Sequence, residues 1–227
     1  LVGQESSSYR VNGEIPVIPL ESFSDEVASA MEDVSQKMEE QDLYLNSSPG
    51  YWLRTFDRWA DCEEFIGFPL NNPLEKSSLL ETANYFAIAQ DAETLNEESQ
   101  RHCAVALQGN IKGELQHVTI DTGYLMGPIR IQMTVSLYPE GSGMEPGTGG
   151  SWNGEAEFEI TSGVTGEGIP YTLVVSETPE SDYYNDFSSA DAYFVLKNGL
   201  YTLDAVSPGR DSGADAKAAL EELLALF

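Results

Sequence analysis

Glu155, Glu157 and Glu159 alternate with Ala156, Phe158 and Ile160. In an extended strand this places three carboxylates on one face, about 7 Å apart, a spacing that suits acid–base chemistry on a glycosidic bond. The same alternation also describes a solvated strand face with Phe158 and Ile160 turned inward. A second oxygen-rich stretch holds Asp182, Asn185 and Asp186, with Tyr183 and Tyr184 between the acids. Hard cations such as calcium take ligands of this kind, so Asp182, Asn185 and Asp186 are candidate metal ligands. The EF-hand spacing is missing, without its Gly at the sixth position or its Glu at the twelfth. With both tyrosines included, residues 182–186 are also candidates for contact with a carbohydrate or a basic peptide. An exposed acidic loop is the plainer alternative.

Nucleophilic chemistry finds less support. The only histidines are His102 and His117, and no Gly-x-Ser-x-Gly elbow is present. His102 abuts Cys103, but neighbours in a strand point to opposite faces, which is poor geometry for a thiol–imidazole pair. No residue is assigned a catalytic role. Cys62 and Cys103 are the only cysteines, too few for a disulfide scaffold or a four-ligand zinc site. They form either one bridge in an oxidising compartment or two buried free thiols.

The surroundings of these residues are acidic almost throughout. The chain of 227 residues carries 38 Asp and Glu against 11 Lys and Arg, a formal charge of −27. Between Ile131 and Leu196 there are 11 acids and no base. Such a surface repels phosphate backbones, which excludes nucleic-acid binding, and it repels anionic lipid headgroups. It attracts cations and basic partners. No stretch approaches the ~18 apolar residues that span a bilayer, so direct membrane insertion is not expected. Gly147 to Ser151 is glycine-rich but lacks the Lys of a phosphate-binding loop.

The elements that must position these groups can be read from periodicity. Residues 1–23 read as a tether, consistent with a chain processed downstream of a signal or an anchor. Ser24 to Asp42 reads as an amphipathic helix, with Val27, Met31, Val34 and Met38 on one face and Glu32, Asp33, Glu39 and Glu40 on the other. Residues 24–50 form this N-terminal unit, and 51–227 form the main domain. Asp57 is expected to cap a short helix with Trp59, Cys62 and Phe65 buried, ending at Gly67 with Pro69 beyond.

From Cys103 onward the period changes to two. Strands are expected at Cys103–Leu107, Leu115–Thr122, Ile129–Leu137, Trp152–Thr161 and Tyr171–Glu177, the third being the clearest. Ala192 to Val206 reads as a hairpin turning on Asn198-Gly199, with Leu196 opposite Tyr201 and Phe194 opposite Leu203. A last helix starts near Ser212 with Leu220, Leu223, Leu224 and Phe227 as its apolar stripe. The expected fold is α+β, a mainly antiparallel sheet of about seven strands with helices packed on one side.

Trp59-Ala60-Asp61-Cys62-Glu63-Glu64-Phe65-Ile66-Gly67-Phe68-Pro69-Leu70, followed by Pro73-Leu74, resembles a helix-then-proline pattern of bacterial extracytoplasmic domains. Those domains belong to membrane-anchored, anti-sigma-factor-like or lipoprotein chains, mostly of Gram-positive bacteria. The ending Asn198-Gly199-Leu200-Tyr201-Thr202-Leu203 and the helix after it are also similar to theirs. The resemblance spans roughly Tyr51 to Phe227 and carries no catalytic motif. It implies an extracytoplasmic location, secreted or membrane-anchored, and a sensing or binding role.

The expected function is therefore a non-enzymatic extracytoplasmic binding or sensing domain of a bacterial envelope protein. Its partner would be a protein, or a cationic or carbohydrate ligand, with no cofactor unless calcium binds at 182–186. A glycosidase-like hydrolase using Glu155, Glu157 and Glu159, and a structural spacer, are the alternatives.

Overall fold

The computed structural model describes residues 9–12, 18–19, 29, 32–33, 36, 51–67, 69–85, 101–109, 115–137, 143–144, 156–177, 187–196 and 199–227. In chain order the strands are β1 (Tyr9–Asn12), β2 (Ile18–Pro19), β3 (Tyr51–Phe56), β4 (Glu81–Ala83), β5 (Cys103–Gly109) and β6 (Leu115–Met126). They continue with β7 (Ile129–Leu137), β8 (Gly143–Met144), β9 (Ala156–Val164), β10 (Pro170–Glu177), β11 (Phe187–Leu196) and β12 (Gly199–Pro208). Helix α1 spans Trp59–Ile66, a 3-10 turn spans Pro73–Lys76, and helix α2 spans Gly213–Leu224.

Among the described residues, ten strands form one sheet in the order β1-β9-β10-β11-β12-β7-β6-β5-β3, with β4 paired to the end of β6. Every pairing is antiparallel except that of β1 with β9. The sheet is larger than the seven strands expected from periodicity. The additions are short or lie outside the clearly alternating region. β1 falls within the stretch read as a tether, β3 precedes the first helix, and β4 has three residues. β2 and β8 pair separately.

Alternation is clearest in β7, where Ile131, Met133 and Val135 are fully buried, Gln132 and Thr134 between them are half-buried, and Arg130 before them is exposed. These residues join Val105, Ile120, Phe194, Tyr201 and Leu203 in one core. Trp59, Cys62, Phe65 and Ile66 of α1 and Ala216, Leu220, Leu223 and Leu224 of α2 belong to the same core, each set recurring at helical spacing. Phe227 closes it, with its ring 5.0 Å from Phe194 and 6.0 Å from Tyr201. Burial of this kind stabilises by roughly 2 kcal/mol per large side chain, so the sheet and the two helices are held mainly by it.

At the N-terminal side, Ser29, Glu32, Asp33 and Gln36 are helical and exposed; of the polar face expected of that helix, Glu32 and Asp33 are among them, and Glu39 and Glu40 lie outside the described residues. Its apolar positions lie outside the described residues. Helix α1 ends as expected, with Gly67 left-handed at φ 85° and its N–H donating to the Glu63 carbonyl. Its N-cap is Arg58 rather than Asp57. Asp57 instead accepts from Arg101 at 3.0 Å. Among the described residues no helix is long and apolar enough to cross a membrane.

The hairpin differs from expectation in register. Leu196 pairs with Gly199, Phe194 with Tyr201 and Ala192 with Leu203. Gly199 is thus the first residue of β12, and its backbone is not in the left-handed region that a type I′ turn requires. Asn198 lies outside the described residues. Packing decides the shift. Phe194 and Tyr201 stack at 5.3 Å, and a Cβ on Gly199 would come within 3.2 Å of Val135 Cγ1. The slip is by two residues, so the inward face is unchanged and Phe194, Leu196, Tyr201 and Leu203 still share it.

Candidate functional site

Two groups of polar side chains stand inside this apolar frame. The first ties the segment between α1 and β4 to the sheet. The 3-10 turn opens with Pro73, whose fixed φ suits a first helical position, and it delivers Glu75 toward β6. Glu75 Oε1 accepts from Tyr124 at 2.8 Å and from His102 Nε2 at 2.5 Å. His102 Nδ1 lies 2.9 Å from the Ala83 carbonyl, and the Tyr124 ring meets the imidazole edge-on at 5.1 Å. Asn72 donates to the Tyr124 hydroxyl at 2.9 Å. Both imidazole nitrogens face acceptors, so both donate and the ring is an imidazolium.

The titration of this group agrees with its geometry. Burial works against the His102 charge, but the hydrogen bond to Glu75, the neighbouring Cys103, the Ala83 carbonyl and the Glu75 charge outweigh it. The pKa is pushed up to about 9. Burial likewise favours neutral Glu75, yet the hydrogen bonds from His102 and Tyr124 and the His102 charge hold it below the usual carboxylate range. Burial raises the Tyr124 hydroxyl further out of reach of titration. With both ring nitrogens engaged, His102 does not activate Cys103. The Cys103 thiol is hydrogen-bonded to Cys62, and that bond together with burial pushes its pKa up. The assembly is a structural clasp with no open nucleophile.

The second group lies across the middle of the sheet. Asp191 of β11 is the cross-strand partner of Asp204 of β12, which is in turn the partner of Gln132 of β7. Gln132 donates to Asp121 of β6 at 3.1 Å, and Thr134 donates to the same oxygen at 2.6 Å. Directly paired residues share a face of the sheet, so the three acids come from three strands onto one face. All three are half-buried, and among the described residues none has an ion-pair partner. Asp204 Oδ1 is buried with no hydrogen-bond partner among the described atoms.

Two carboxyls this close cannot both ionise, so they share a proton. Burial raises the pKa of Asp204, and the charge and hydrogen bond of Asp191 raise it further. Asp204 therefore keeps the proton and donates it to Asp191. Burial raises Asp191 as well, against the Asp204 hydrogen bond. Burial also raises Asp121, opposed by its hydrogen bonds from Thr134 and Gln132. Beside the acids, Phe158, Val174, Ile160 and Tyr193 form a small apolar cluster. Chemically, the arrangement can bind a cation in exchange for a proton, or run acid–base chemistry from a pair whose protons leave at different pH.

Of the carboxylates singled out from sequence, only the Glu159 side chain lies among the described residues. Glu159 is exposed on β9 and pairs with Lys217 of α2 at 2.9 Å. Glu157 pairs in register with Arg10 and with Glu177 as strand neighbours, and its side chain lies outside the described residues. Glu155 is also outside them, as are Asp182, Tyr183, Tyr184, Asn185 and Asp186. Among the described residues no group of His, Cys, Asp or Glu is arranged to hold a metal ion.

Sequence reading missed Asp121, Asp191, Asp204 and Glu75. The first three had a signal. Asp191 stands between Ala190 and Ala192, and Asp204 between Leu203 and Ala205, so each is an acid in mid-strand. Their pairing was hidden by the register. A turn at Asn198-Gly199 sets Asp204 opposite Tyr193 and separates the two acids. No family model, curated protein or solved structure matches the chain.

Proposed function

We propose that the chain is a non-enzymatic extracytoplasmic binding or sensing domain of a bacterial envelope protein. Its ligand is a cationic group borne by a protein or a carbohydrate, received on the face of Asp121, Asp191 and Asp204. The observation that carries this reading is the set of three half-buried carboxyls from three strands, with no ion-pair partner among the described residues, in a chain of net charge −27. Tyr193 and the apolar residues beside it suit the stem of a lysine or a similar cation. The extracytoplasmic part of the reading rests on the resemblance of Trp59–Leu70 and Asn198–Leu203.

The reading also takes both helices to pack on one side, leaving the acidic face to the ligand. The register supports this. Phe194, Tyr201, Val135, Ile120 and Val105 are successive cross-strand partners, with Phe227 after α2 packed against the first two. Cys103, which meets Cys62 of α1, lies two residues from Val105 on the same strand face.

A cation entering this face displaces the proton that Asp204 keeps, so binding releases a proton and tightens as pH rises. The test is calorimetric titration with an oligolysine peptide in two buffers of different ionisation heat. Saturable binding with proton release is expected, weakened about tenfold or more by Asp191→Asn with Asp204→Asn, an effect of about 1.4 kcal/mol. Absence of saturable heat, or equal binding by the variant, overturns the proposal.

A second reading, a carboxylate-dependent hydrolase, is favoured by two carboxyls from adjacent strands that are hydrogen-bonded to one another and both raised by burial, Asp191 and Asp204. It moves the chemistry from Glu155, Glu157 and Glu159 to this pair. Turnover of chromogenic glycosides or peptides that is abolished by Asp191→Asn would establish it over the binding reading.

A further inference from the structure

The chain holds two cysteines, and the fold brings them together. Cys62 lies midway along α1, and Cys103 is the first residue of β5. The residue before α1's approach, Phe56 of β3, is the cross-strand partner of Cys103. Helix α1 therefore folds back over the strand that its own preceding strand pairs with, and Cys62 arrives above Cys103. Both side chains are fully buried, and the two thiols are hydrogen-bonded to one another. Both belong to the same apolar core cluster as Trp59, Phe65 and Val105.

We propose that Cys62 and Cys103 are a disulfide-forming pair, closed during folding in an oxidising compartment, which fastens α1 to the sheet. The step needs a small-molecule disulfide as oxidant. The thiolate of one cysteine attacks it, forms a mixed disulfide and releases one small thiol. The second cysteine then displaces the other small thiol, so two protein thiols and one small disulfide become one protein disulfide and two small thiols.

Timing follows from burial. In the folded chain the Cys103 thiol is sealed from solvent and held protonated, so exchange is slow once the core has closed. The bridge forms while α1 docks, when both thiols are still open to the oxidant. It encloses Glu63 to His102, which contains Asn72, Glu75 and His102 of the clasp but not Tyr124. Closing a loop of this length restricts the unfolded chain, and the bridged form melts higher by roughly 10 °C.

The test is refolding of the reduced, denatured chain in a buffer of reduced and oxidised glutathione. Exchange is then quenched with iodoacetamide in denaturant, and the intact mass is read. A chain lighter by two hydrogens and free of adducts is expected, and reductant should restore two sites of alkylation. The melting temperature of this form should exceed that of the reduced form, and Cys62→Ser should abolish the difference. Protein purified without reductant from an oxidising compartment gives a second reading that does not depend on refolding yield. Two alkylated cysteines in either preparation, or an equal melting temperature with and without reductant, overturns the proposal.

Discussion

The clasp around His102 and the acidic face around Asp204 show two ways in which one sheet accommodates buried charge. In the clasp, Glu75 is matched by an imidazolium, and the Tyr124 hydroxyl adds a second donor. In the acidic face, Asp191 and Asp204 have no counter-charge among the described residues, and each raises or holds the other's proton through a shared hydrogen bond. The two regions lie on neighbouring strands of the same fold and have similar polarity in sequence. A buried charge with an opposite partner and satisfied hydrogen bonds costs little once folded, whereas like charges that face each other cost stability at neutral pH. The first region therefore reads as built for stability. The second retains a strain that a cationic ligand would relieve.

Removing the cation from the clasp should give the largest effect. His102→Ala leaves Glu75 partly buried beside Tyr124 alone and empties the space against its ring. A loss of roughly 3 kcal/mol, or about 10 °C in melting temperature at pH 7, is expected. The pH dependence separates charge from packing. The His102 pKa rises from the ordinary value of 6.5 to about 9 on folding. Its contribution is thus full below about 6.5 and is lost as pH rises through about 9. Glu75 is shifted the opposite way, so its contribution is present above about 4.5 and is lost as pH falls through its lower folded value. Thermal melts of wild type and variant should converge above pH ~9 except for the packing loss. A constant gap from pH ~6 to pH ~10 would mean that the clasp is held by shape and not by charge.

The next effect is steric and tests whether the clasp segment is seated on β6. A Cβ on Gly123 would lie 2.0 Å from the Asn84 carbonyl oxygen and 2.9 Å from Tyr85 Cα. Both are backbone atoms that cannot swing aside. Gly123→Ala should cost about 2 kcal/mol, read as an earlier midpoint in urea. A native midpoint would place that segment away from the strand and dissolve the contrast between the two regions.

The smallest effect has the opposite sign. Asp204→Asn keeps a donor for Asp191 and removes the need to hold an extra proton. Because burial and Asp191 raise the Asp204 pKa on folding, wild-type stability is present below the ordinary carboxyl range and is lost as pH rises through the folded value. The variant should therefore melt higher than wild type at neutral pH, by about 1 kcal/mol or a few degrees, and equal to it near pH ~3. A lower melting temperature at neutral pH would show that the acidic face already has a counter-charge, and the binding proposal would lose its motive.

Much of the frame was legible in the chain. Ile131, Met133 and Val135 announced a one-sided strand, and Leu220, Leu223 and Leu224 announced the docked helix, because burial imposes periods of two and 3.6 on any sequence that folds this way. Gly67 announced the end of α1 because a left-handed residue tolerates no ordinary side chain there without strain. The candidate sites were less legible. Glu159 satisfied the alternation rule yet serves an exposed ion pair with Lys217, a contact between residues 58 positions apart. Glu75 carried no local mark at all, since its role depends on a histidine 27 residues downstream.

By itself, the sequence determined the excess of acid, the antiparallel and sheet-rich character, and the inward face of each clear strand. These follow from composition and from periods that are local to a few residues. Only the tertiary structure decided which residues meet. The hairpin illustrates the reason. Asn198-Gly199 is a strong local turn signal, worth a fraction of what the core contributes, and the stacking of Phe194 on Tyr201 under Phe227 moved the register by two residues. A shift of two preserves every inward face, so no hydrophobic pattern records it. It nevertheless sets Asp191 opposite Asp204 and so creates the acidic pair on which the proposed function rests.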